Sequence, residues 1–323
     1  MNATSSRSRI AESAPAGARA FDTEHNGLPG AIAAWWIDGP EPTLVDPGPA
    51  PSLPTLLEKL RAEGIDPGEL RHLALTHIHL DHAGAAGELA ALCPQLTVHV
   101  HLEGAPHLVD PERLVASTRR TFGEAYDDLY GEVRPIPADR IRVWRPGEGV
   151  RIPLGGVGAT TLRALPTPGH IAHHLAFLDE RDGTLFCGDA LGIRLAPEGA
   201  IFAPTPPPAI DLDAWMRTLD DLEAVGPERI APTHFGLHAP RIDAFRSELL
   251  RLALRVRAAL EIDDAEEDAL RYDAETRARL GDHLDREWVD RYFDVFSAAN
   301  DYRGVVRFLT RAPDWRAPDR RDA

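Results

Sequence analysis

Short apolar runs alternate with stretches of helical periodicity over the first 240 residues of the chain. Apolar runs between turn residues are typical of buried strands, whereas Leu53, Leu56 and Leu60 recur at the spacing of one helix face. The alternation favours an α/β fold. The pattern predicts strands at 31–38, 43–45, 72–76, 96–100, 141–144, 150–154, 159–165, 175–178, 184–187 and 229–232, and helices at 52–63, 83–92 and 212–225.

After Pro240 the strand pattern ends and helical periodicity remains. Its apolar stripes predict a packed core or a homodimer face. The carboxylate-rich run 261–268 is expected to be a solvated loop. Helices are predicted at about 240–260, 274–283, 285–298 and 302–310. The chain is therefore divided into a disordered N-terminal tail (1–20), an α/β catalytic domain (21–240) and a helical C-terminal extension packed on it (241–323).

The charge of the chain narrows the choice of partners. It carries 35 basic and 51 acidic residues, a net charge of −16, so a nucleic-acid partner is not expected.

Two cysteines form no disulfide framework and fit a reducing, cytoplasmic setting. The N-terminal tail lacks the apolar core of a signal peptide, and no stretch reaches the roughly 18 apolar residues of a membrane span. A small-molecule substrate is therefore expected, with no membrane association.

The stretch 76–82 reads Thr-His-Ile-His-Leu-Asp-His and follows a predicted strand. Neutral imidazole and carboxylate are ligands that zinc and iron accept. Four such groups on one short loop would be costly to bury without a cation. Metal binding is therefore the leading interpretation of His77, His79, Asp81 and His82.

Three further candidate ligands stand at strand ends or turns, each beside a glycine or one residue from it: His170, Asp189 and His234. Open α/β sheets usually place their ligand sites beyond the carboxyl ends of strands. With the residues of the 76–82 stretch they make five histidines and two aspartates. That set is large enough for two metals that share a carboxylate.

The order of these motifs resembles that of the metallo-β-lactamase-fold hydrolases, and the likeness is nearest to glyoxalase II-like members. It covers about residues 28–240 and implies an αββα four-layer sandwich with the site at one edge of two sheets. Asp46 resembles the acidic residue that ends an early strand in that family. The matching motifs are His77-x-His79-x-Asp81-His82, Thr167-Pro168-Gly169-His170, Phe186-Cys187-Gly188-Asp189-Ala190 and Thr233-His234-Phe235-Gly236.

The resemblance implies a role for each matching residue. His77, His79 and His170 would hold one metal, Asp81, His82 and His234 the second, and Asp189 would bridge them. Asp46 and His174 would hydrogen-bond the ligands from behind. Two divalent cations are expected, with zinc the first choice, and iron or manganese also suits these ligands. Two such metals lower the pKa of a shared water, and Asp81 and Asp189 are the expected catalytic residues around it.

The residues that would line the substrate pocket are less defined. The irregular segment 102–145 is expected to cover the site, and its Tyr126 and Tyr130 either line the pocket or belong to the core. His173 occupies the family's glycine position, so it either lines the pocket or faces solvent. Arg194 either binds an anionic group or lies on the surface. His99 and His101 share a strand face, but they are interpreted as partly exposed or structural and are assigned no metal.

The leading functional hypothesis is a dinuclear metal-dependent hydrolase of a small ester, thioester or lactone. The first alternative is an enzyme like the iron-dependent persulfide dioxygenases of the same superfamily, which use one iron. The second is a metal-binding regulatory protein that has the fold and no catalysis. RNA processing, also found in the superfamily, ranks low because the charge of −16 is unsuited to that substrate.

Overall fold

The computed structural model describes residues 17–145, 147–148, 151–154, 161–195 and 199–317. It forms two compact units. The first contains the chain up to Thr167 together with His173–Asp189 and Gly226–Pro240, and the second contains Pro168–Ala172, Ala190–Val225 and the chain from Arg241 onward.

The structure describes only the last residues of the N-terminal tail (1–20) that was predicted from the sequence. Most of it, residues 1–16, lies outside the described residues. The first strand comprises Ala18–Asp22 and pairs with the strand Ala33–Ile37. The last three residues assigned to the tail therefore belong to a strand.

The first unit contains two β-sheets. In the six-stranded sheet the order is β1-β2-β3-β4-β5-β6, with β3 to β6 parallel to one another and β1 and β2 joined by antiparallel pairing. In the five-stranded sheet the order is β11-β10-β9-β8-β7, and only the β10–β11 pair is parallel. The strands are β1 (Ala18–Asp22), β2 (Ala33–Ile37), β3 (Thr43–Val45), β4 (His72–Ala74), β5 (Thr97–His101), β6 (Ile141–Trp144), β7 (Arg151–Pro153), β8 (Thr161–Pro166), β9 (Leu175–Asp179), β10 (Thr184–Phe186) and β11 (Arg229–Ile230).

Six α-helices belong to the first unit and five to the second, counted over the described residues. The first unit has α1 (Leu53–Ala62), α2 (Leu80–Ala83), α3 (Ala86–Leu92), α4 (Ala105–Val109), α5 (Glu112–Phe122) and α6 (Tyr126–Leu129). The second unit has α7 (Leu212–Val225), α8 (Ile242–Glu261), α9 (Ala265–Gly281), α10 (Arg286–Val295) and α11 (Ala298–Arg311). Each strand predicted from the sequence is present: five are shorter than predicted, two have the predicted bounds, and the other three are shifted or extended by one or two residues, while β1 is an addition. Among the described residues, no helix has the length and apolar character needed to cross a membrane.

The two tryptophans of β2 show how the six-stranded sheet is buried on both faces. Trp36 packs in a cluster with Leu56 of α1 and Leu89 of α3. Trp35 packs on the other face, in a cluster that includes Phe177 and Phe186 of the second sheet. Successive side chains of a strand point to opposite faces, so the two adjacent tryptophans pack on both sides of the sheet.

The carboxylate-rich run 261–268 is only partly a loop, because α9 begins at Ala265. Acidic residues in the first turn of a helix are stabilised by the helix dipole, and the sequence interpretation overlooked that effect. Asp268 is buried, forms an ion pair with Arg255 at 2.7 Å and accepts a hydrogen bond from the Tyr302 hydroxyl at 2.8 Å. The expectation of a solvated loop is therefore wrong for the last four residues of the run.

His99 and His101 are buried in β5, with 5% and 6% of their surface exposed, so the partly exposed alternative is wrong and the structural one remains. His99 Nε2 lies 3.0 Å from His72 Nδ1, and His72 Nε2 lies 2.7 Å from a carboxylate oxygen of Glu41. Burial, reinforced by the charges of His72 and Arg142, lowers the pKa of His99 to about 3. The imidazole of His99 is therefore neutral at physiological pH.

We expect His99→Gln to make the protein less sensitive to acid. Unfolded histidine has a pKa of about 6.5, so between that pH and about 3 the unfolded state binds a proton that folded His99 does not. Stability therefore falls as the pH falls through this window, and at pH 4 His99 lowers the free energy of unfolding by about 3 kcal/mol. Melting temperatures measured from pH 7 to pH 4 should fall less steeply for the variant, with chelator present so that metal release does not contribute. Equal slopes for the two proteins would contradict the prediction.

Candidate metal centre

Asp46 organises the loops at one end of the six-stranded sheet. It follows β3, is fully buried and has a positive φ of 46°. Its carboxylate accepts hydrogen bonds from the Thr76 backbone N–H at 2.8 Å and from the hydroxyls of Thr76 and Thr233, both at 2.7 Å. It also lies 2.8 Å from His82 Nδ1. The Asp46 carboxylate thus forms hydrogen bonds with both loops that carry candidate ligands, the 76–82 stretch and the 233–236 motif.

The contact with Asp46 determines which nitrogen of His82 is available. A carboxylate accepts hydrogen bonds, so Nδ1 carries the proton when the ring is neutral and Nε2 offers a lone pair. His82 is fully buried, and its Nε2 has no hydrogen-bond partner among the residues that the structure describes. A buried nitrogen in this state requires a partner that the polypeptide does not supply.

Four side chains, including that of His82 itself, bring possible ligand atoms close to one another. His82 Nε2 lies 3.6 Å from Asp81 Oδ2 and 3.5 Å from Asp189 Oδ1. His234 Nε2 lies 3.4 Å and 3.7 Å from the same two oxygens. In a tetrahedral site with metal–ligand bonds of 2.0–2.2 Å, ligand atoms are separated by about 3.3–3.6 Å. The spacing of these two nitrogens and two oxygens therefore fits a common metal ion.

The charges around His82 also fit a cation. Burial alone would lower the pKa of His82, but the carboxylates of Asp189, Asp81 and Asp46 raise it well above its usual value. Burial alone would raise the pKa of Asp81, but His82 and His234 hold it below its usual range. A concentration of negative charge that stabilises a proton on His82 would also attract a divalent metal ion, which must displace that proton to bind.

A second pair of imidazoles lies beside this group. His77 Nε2 and His79 Nδ1 are 2.9 Å apart, and the His77 ring centroid lies 4.0 Å from that of His82. His77, His82 and Asp189 can each direct one ligand atom to within 4.8 Å of the others, as can Asp81, His82 and His234. Asp189 thus borders both the His77 side and the His82 side of the cluster.

The turn before Asp189 requires glycine. Gly188 has a φ of 49°, and a Cβ atom there would lie 2.6 Å from Thr76 Oγ1 and 2.8 Å from His174 Nε2. His174 Nε2 accepts a hydrogen bond from the Asp189 N–H at 3.2 Å, so its Nδ1 carries the proton and donates to the Thr167 hydroxyl at 2.7 Å. His174 therefore orients the backbone of Asp189.

His170 and Arg194 belong to the second unit. His170 is buried, and its Nδ1 donates to the Pro204 carbonyl at 2.7 Å, which leaves Nε2 as the nitrogen suited to a metal. The role of His170 as a partner of His77 and His79 stays a prediction. Arg194 is 8% exposed, so the interpretation that it lies on the surface is wrong, and its binding of an anionic group stays a prediction.

The remaining pocket candidates are all buried in the first unit. His173 is 7% exposed, so the alternative that it faces solvent is wrong. Tyr126 and Tyr130 are both buried, with ring centroids 5.9 Å apart. Their role as pocket residues stays a prediction.

Two residues that support the site were not predicted from the sequence. Thr76 and Thr233 both donate to Asp46, and each stands directly before a candidate ligand histidine. That repeated Thr-His pair was an available signal.

The fold and the site together define a class: two facing sheets with a histidine and aspartate cluster able to hold metal. A family model described as the metallo-beta-lactamase superfamily matches residues 27–234. The chain belongs to the metallo-β-lactamase superfamily. The predicted fold class, with two sheets and C-terminal helices, is thereby confirmed.

The metallo-beta-lactamase fold-containing protein ST1585 of Sulfurisphaera tokodaii is similar to this chain. It is 29% identical over 177 residues, which are 54% of this chain and 64% of that protein, so the alignment spans less than two thirds of the relative. The crystal structure of ST1585 matches with a TM-score of 0.60 at 24% identity and covers 74% of this chain and 87% of that chain. This structural likeness shows the fold alone.

Two further relatives carry names that mention an activity. The probable metallo-hydrolase YqjP of Bacillus subtilis is 24% identical over 220 residues, 64% of this chain and 67% of that protein. The hydroxyacylglutathione hydrolase of Francisella tularensis subsp. novicida is 29% identical over 123 residues, 38% of this chain and 34% of that protein.

Proposed function

We propose that the protein is a dinuclear metal-dependent hydrolase of a small ester, thioester or lactone. The observation that carries this proposal is the spacing of 3.4–3.7 Å between the nitrogens of His82 and His234 and the oxygens of Asp81 and Asp189. The position of His77 beside His82 and Asp189 supports a second metal that shares the Asp189 carboxylate. The name of the relative YqjP, a probable metallo-hydrolase, supports the reaction class.

Each residue is given a role in this proposal. In this proposal His77, His79 and His170 would hold one ion, while Asp81, His82 and His234 would hold the other, and Asp189 would contribute to both. When bound there, two divalent cations, with zinc as the first choice and iron or manganese as the alternatives, would supply a water of lowered pKa and a Lewis acid for the bond under attack. Asp46 accepts the Nδ1 proton of His82, so that Nε2 is the nitrogen that would bind the metal, and His174 orients Asp189.

Asp81 is the residue best placed to orient the attacking water. Its side chain is 13% exposed, whereas the side chains of His82, His234 and Asp189 are at most 4% exposed. The carboxylate of Asp81 is therefore the ligand group that faces the accessible side of this cluster. Because its pKa lies below the usual range, it remains a hydrogen-bond acceptor at neutral pH.

A glyoxalase II-like activity is the more specific form of the proposal. It is supported by the likeness to a hydroxyacylglutathione hydrolase, which extends over 38% of this chain. A thioester therefore belongs in the substrate panel beside oxygen esters and lactones.

The proposal is tested by metal analysis of the purified protein followed by that panel. We expect about two metal equivalents per chain, hydrolysis of at least one substrate class, and a loss of activity of about 100-fold or more in His77→Ala. His283→Ala is the matched control because His283 is exposed and lies on the C-terminal side of α9. It should keep the metal and the activity.

Three results would overturn the proposal. The first is a protein free of metal after expression in supplemented medium. The second is one metal equivalent of iron with oxygen uptake on a persulfide substrate and no hydrolysis, which would favour the dioxygenase alternative. A metal-replete protein that is inactive across the panel would favour a regulatory role.

A further inference from the structure

The turn that carries His170 is held by α7, and both belong to the second unit. The Pro168 carbonyl accepts a hydrogen bond from the Thr218 hydroxyl at 2.6 Å. A Cβ atom on Gly169 would lie 2.3 Å from Trp215 Cγ, so the backbone of the turn packs directly on α7. The ring of His170 lies edge-on to that of Trp215, with centroids 6.0 Å apart. These contacts fix the backbone at His170, and the orientation of its imidazole depends on a further contact.

That further contact is the hydrogen bond from the imidazole of His170 to the loop before α7. His170 Nδ1 donates to the Pro204 carbonyl at 2.7 Å, so Nε2 carries the lone pair of the neutral ring. A histidine that binds metal through one nitrogen usually donates the N–H of the other, and that second contact sets the orientation of the ring. The position of the Pro204 carbonyl therefore controls the direction of His170 Nε2.

The peptide group between Pro204 and Thr205 is attached to α11. The Thr205 N–H donates to Asp301 Oδ1 at 2.8 Å, and the Thr205 hydroxyl donates to the Asp301 carbonyl at 2.9 Å. A Cβ atom on Gly304 would lie 1.7 Å from the Thr205 carbonyl oxygen, so the loop lies directly on the backbone of α11. One planar peptide group thus accepts the proton of His170 on its oxygen and donates to the Asp301 carboxylate from its nitrogen.

The two proposed metal sites differ in their dependence on this arrangement. In the hydrolase function proposed above, His170 is the one ligand of the seven that belongs to the second unit. The other ion would be held by Asp81, His82, His234 and Asp189, all of which belong to the first unit. Only one of the two ions would therefore depend on how the second unit holds its histidine.

We propose that Asp301 is a positioning residue for His170, and that through the Pro204–Thr205 peptide it sets the affinity for one of the two metal ions. This inference rests on the proposed dinuclear function and identifies the part of the chain that controls the occupancy of one site. Removal of the carboxylate would leave the N–H of the fully buried Thr205 without its acceptor. Because a peptide group is rigid, a rotation that brings this N–H to a new partner also moves the carbonyl that orients His170.

The test is a stepwise titration of the metal-free chain with Zn²⁺ in competition with a chelator of known affinity. We expect two dissociation constants for wild-type protein. Asp301→Ala should weaken one of them by about tenfold and change the other by less than about threefold. His170→Ala identifies the affected ion because it removes a ligand of the same site. The double variant should bind that ion no more weakly than His170→Ala alone, since both residues act through one nitrogen.

Further variants of α11 separate positioning from general stability. Asp301→Asn keeps an oxygen that accepts the Thr205 N–H, so both affinities should stay within about threefold of wild-type values. Asp301→Glu keeps the charge but moves it by one methylene group, so it should weaken the same ion as Asp301→Ala and replaces that variant if it does not fold. Ser297→Ala removes the cap of α11, a hydrogen bond accepted from the Asn300 N–H at 3.4 Å. It should lower the melting temperature of metal-free protein and leave both affinities unchanged.

The outcomes separate this inference from the proposed function. If wild-type protein binds two ions and Asp301→Ala binds both as tightly, or loses affinity for both equally, the inference about Asp301 is wrong and the dinuclear function stands. The inference is also wrong if Asp301→Asn or Ser297→Ala weakens binding as much as Asp301→Ala does. If wild-type protein binds fewer than two ions, the dinuclear function fails and this inference fails with it.

Discussion

Asp189→Asn is expected to lower the metal content and to reduce hydrolysis by about 1,000-fold or more. Asp189 is 3% exposed, and its Oδ1 lies 3.5 Å from His82 Nε2 and 3.7 Å from His234 Nε2. It also groups with His77, so one substitution affects both sides of the cluster. The amide has the shape of the carboxylate but no negative charge, and its nitrogen is not a metal ligand. Metal content measured by mass spectrometry and turnover on the best substrate check the prediction.

Asp182→Asn is the matched control for this experiment. Asp182 lies in the turn between β9 and β10, where its Oδ1 accepts a hydrogen bond from the Thr184 N–H at 3.0 Å. An amide oxygen can accept the same bond, so metal content and activity should stay near wild-type values. If Asp189→Asn behaved like Asp182→Asn and kept two metals and full activity, the role given to Asp189 would be wrong.

Asp46→Ala is expected to destabilise the protein by about 3–5 kcal/mol and to lower its metal content. The substitution removes the acceptor of hydrogen bonds from the Thr76 N–H, the Thr76 and Thr233 hydroxyls and His82 Nδ1, all within a fully buried site. It also places alanine at a φ of 46°, which aspartate and asparagine tolerate better. Asp46→Asn should therefore be milder. Chemical denaturation with and without chelator measures the stability, and metal analysis measures the occupancy.

Asp66→Ala is the control for the general effect of removing an aspartate. Asp66 is exposed and accepts one hydrogen bond, from the Gly68 N–H at 2.9 Å. Its loss should cost about 1 kcal/mol and leave the metal content unchanged. Equal unfolding midpoints and equal metal content for Asp46→Ala and wild-type protein would contradict the role of Asp46.

Much of the secondary structure could be predicted because its signal is local. Apolar runs and helical spacing are read over a few residues, so β3, β6 and α7 have the bounds that the pattern predicts. The strand β1 was missed because its residues alternate weakly and follow a polar tail. The start of α9 was missed because, in the sequence alone, carboxylates in the first turn of a helix have the same pattern as a run of charges in a solvated loop.

The sequence by itself determined the alternation of strands and helices and the residue types of the metal motifs, since the 76–82 stretch holds four ligand groups next to one another. Only the tertiary structure decided that Asp46 would bind Thr76, 30 positions away, and Thr233, 187 positions away. It also decided that His82 Nε2 would lie 3.5 Å from Asp189 Oδ1. The physical reason is that motif chemistry depends on neighbours along the chain, whereas hydrogen-bond partners and local charge depend on which loops the folded sheets bring to the same edge.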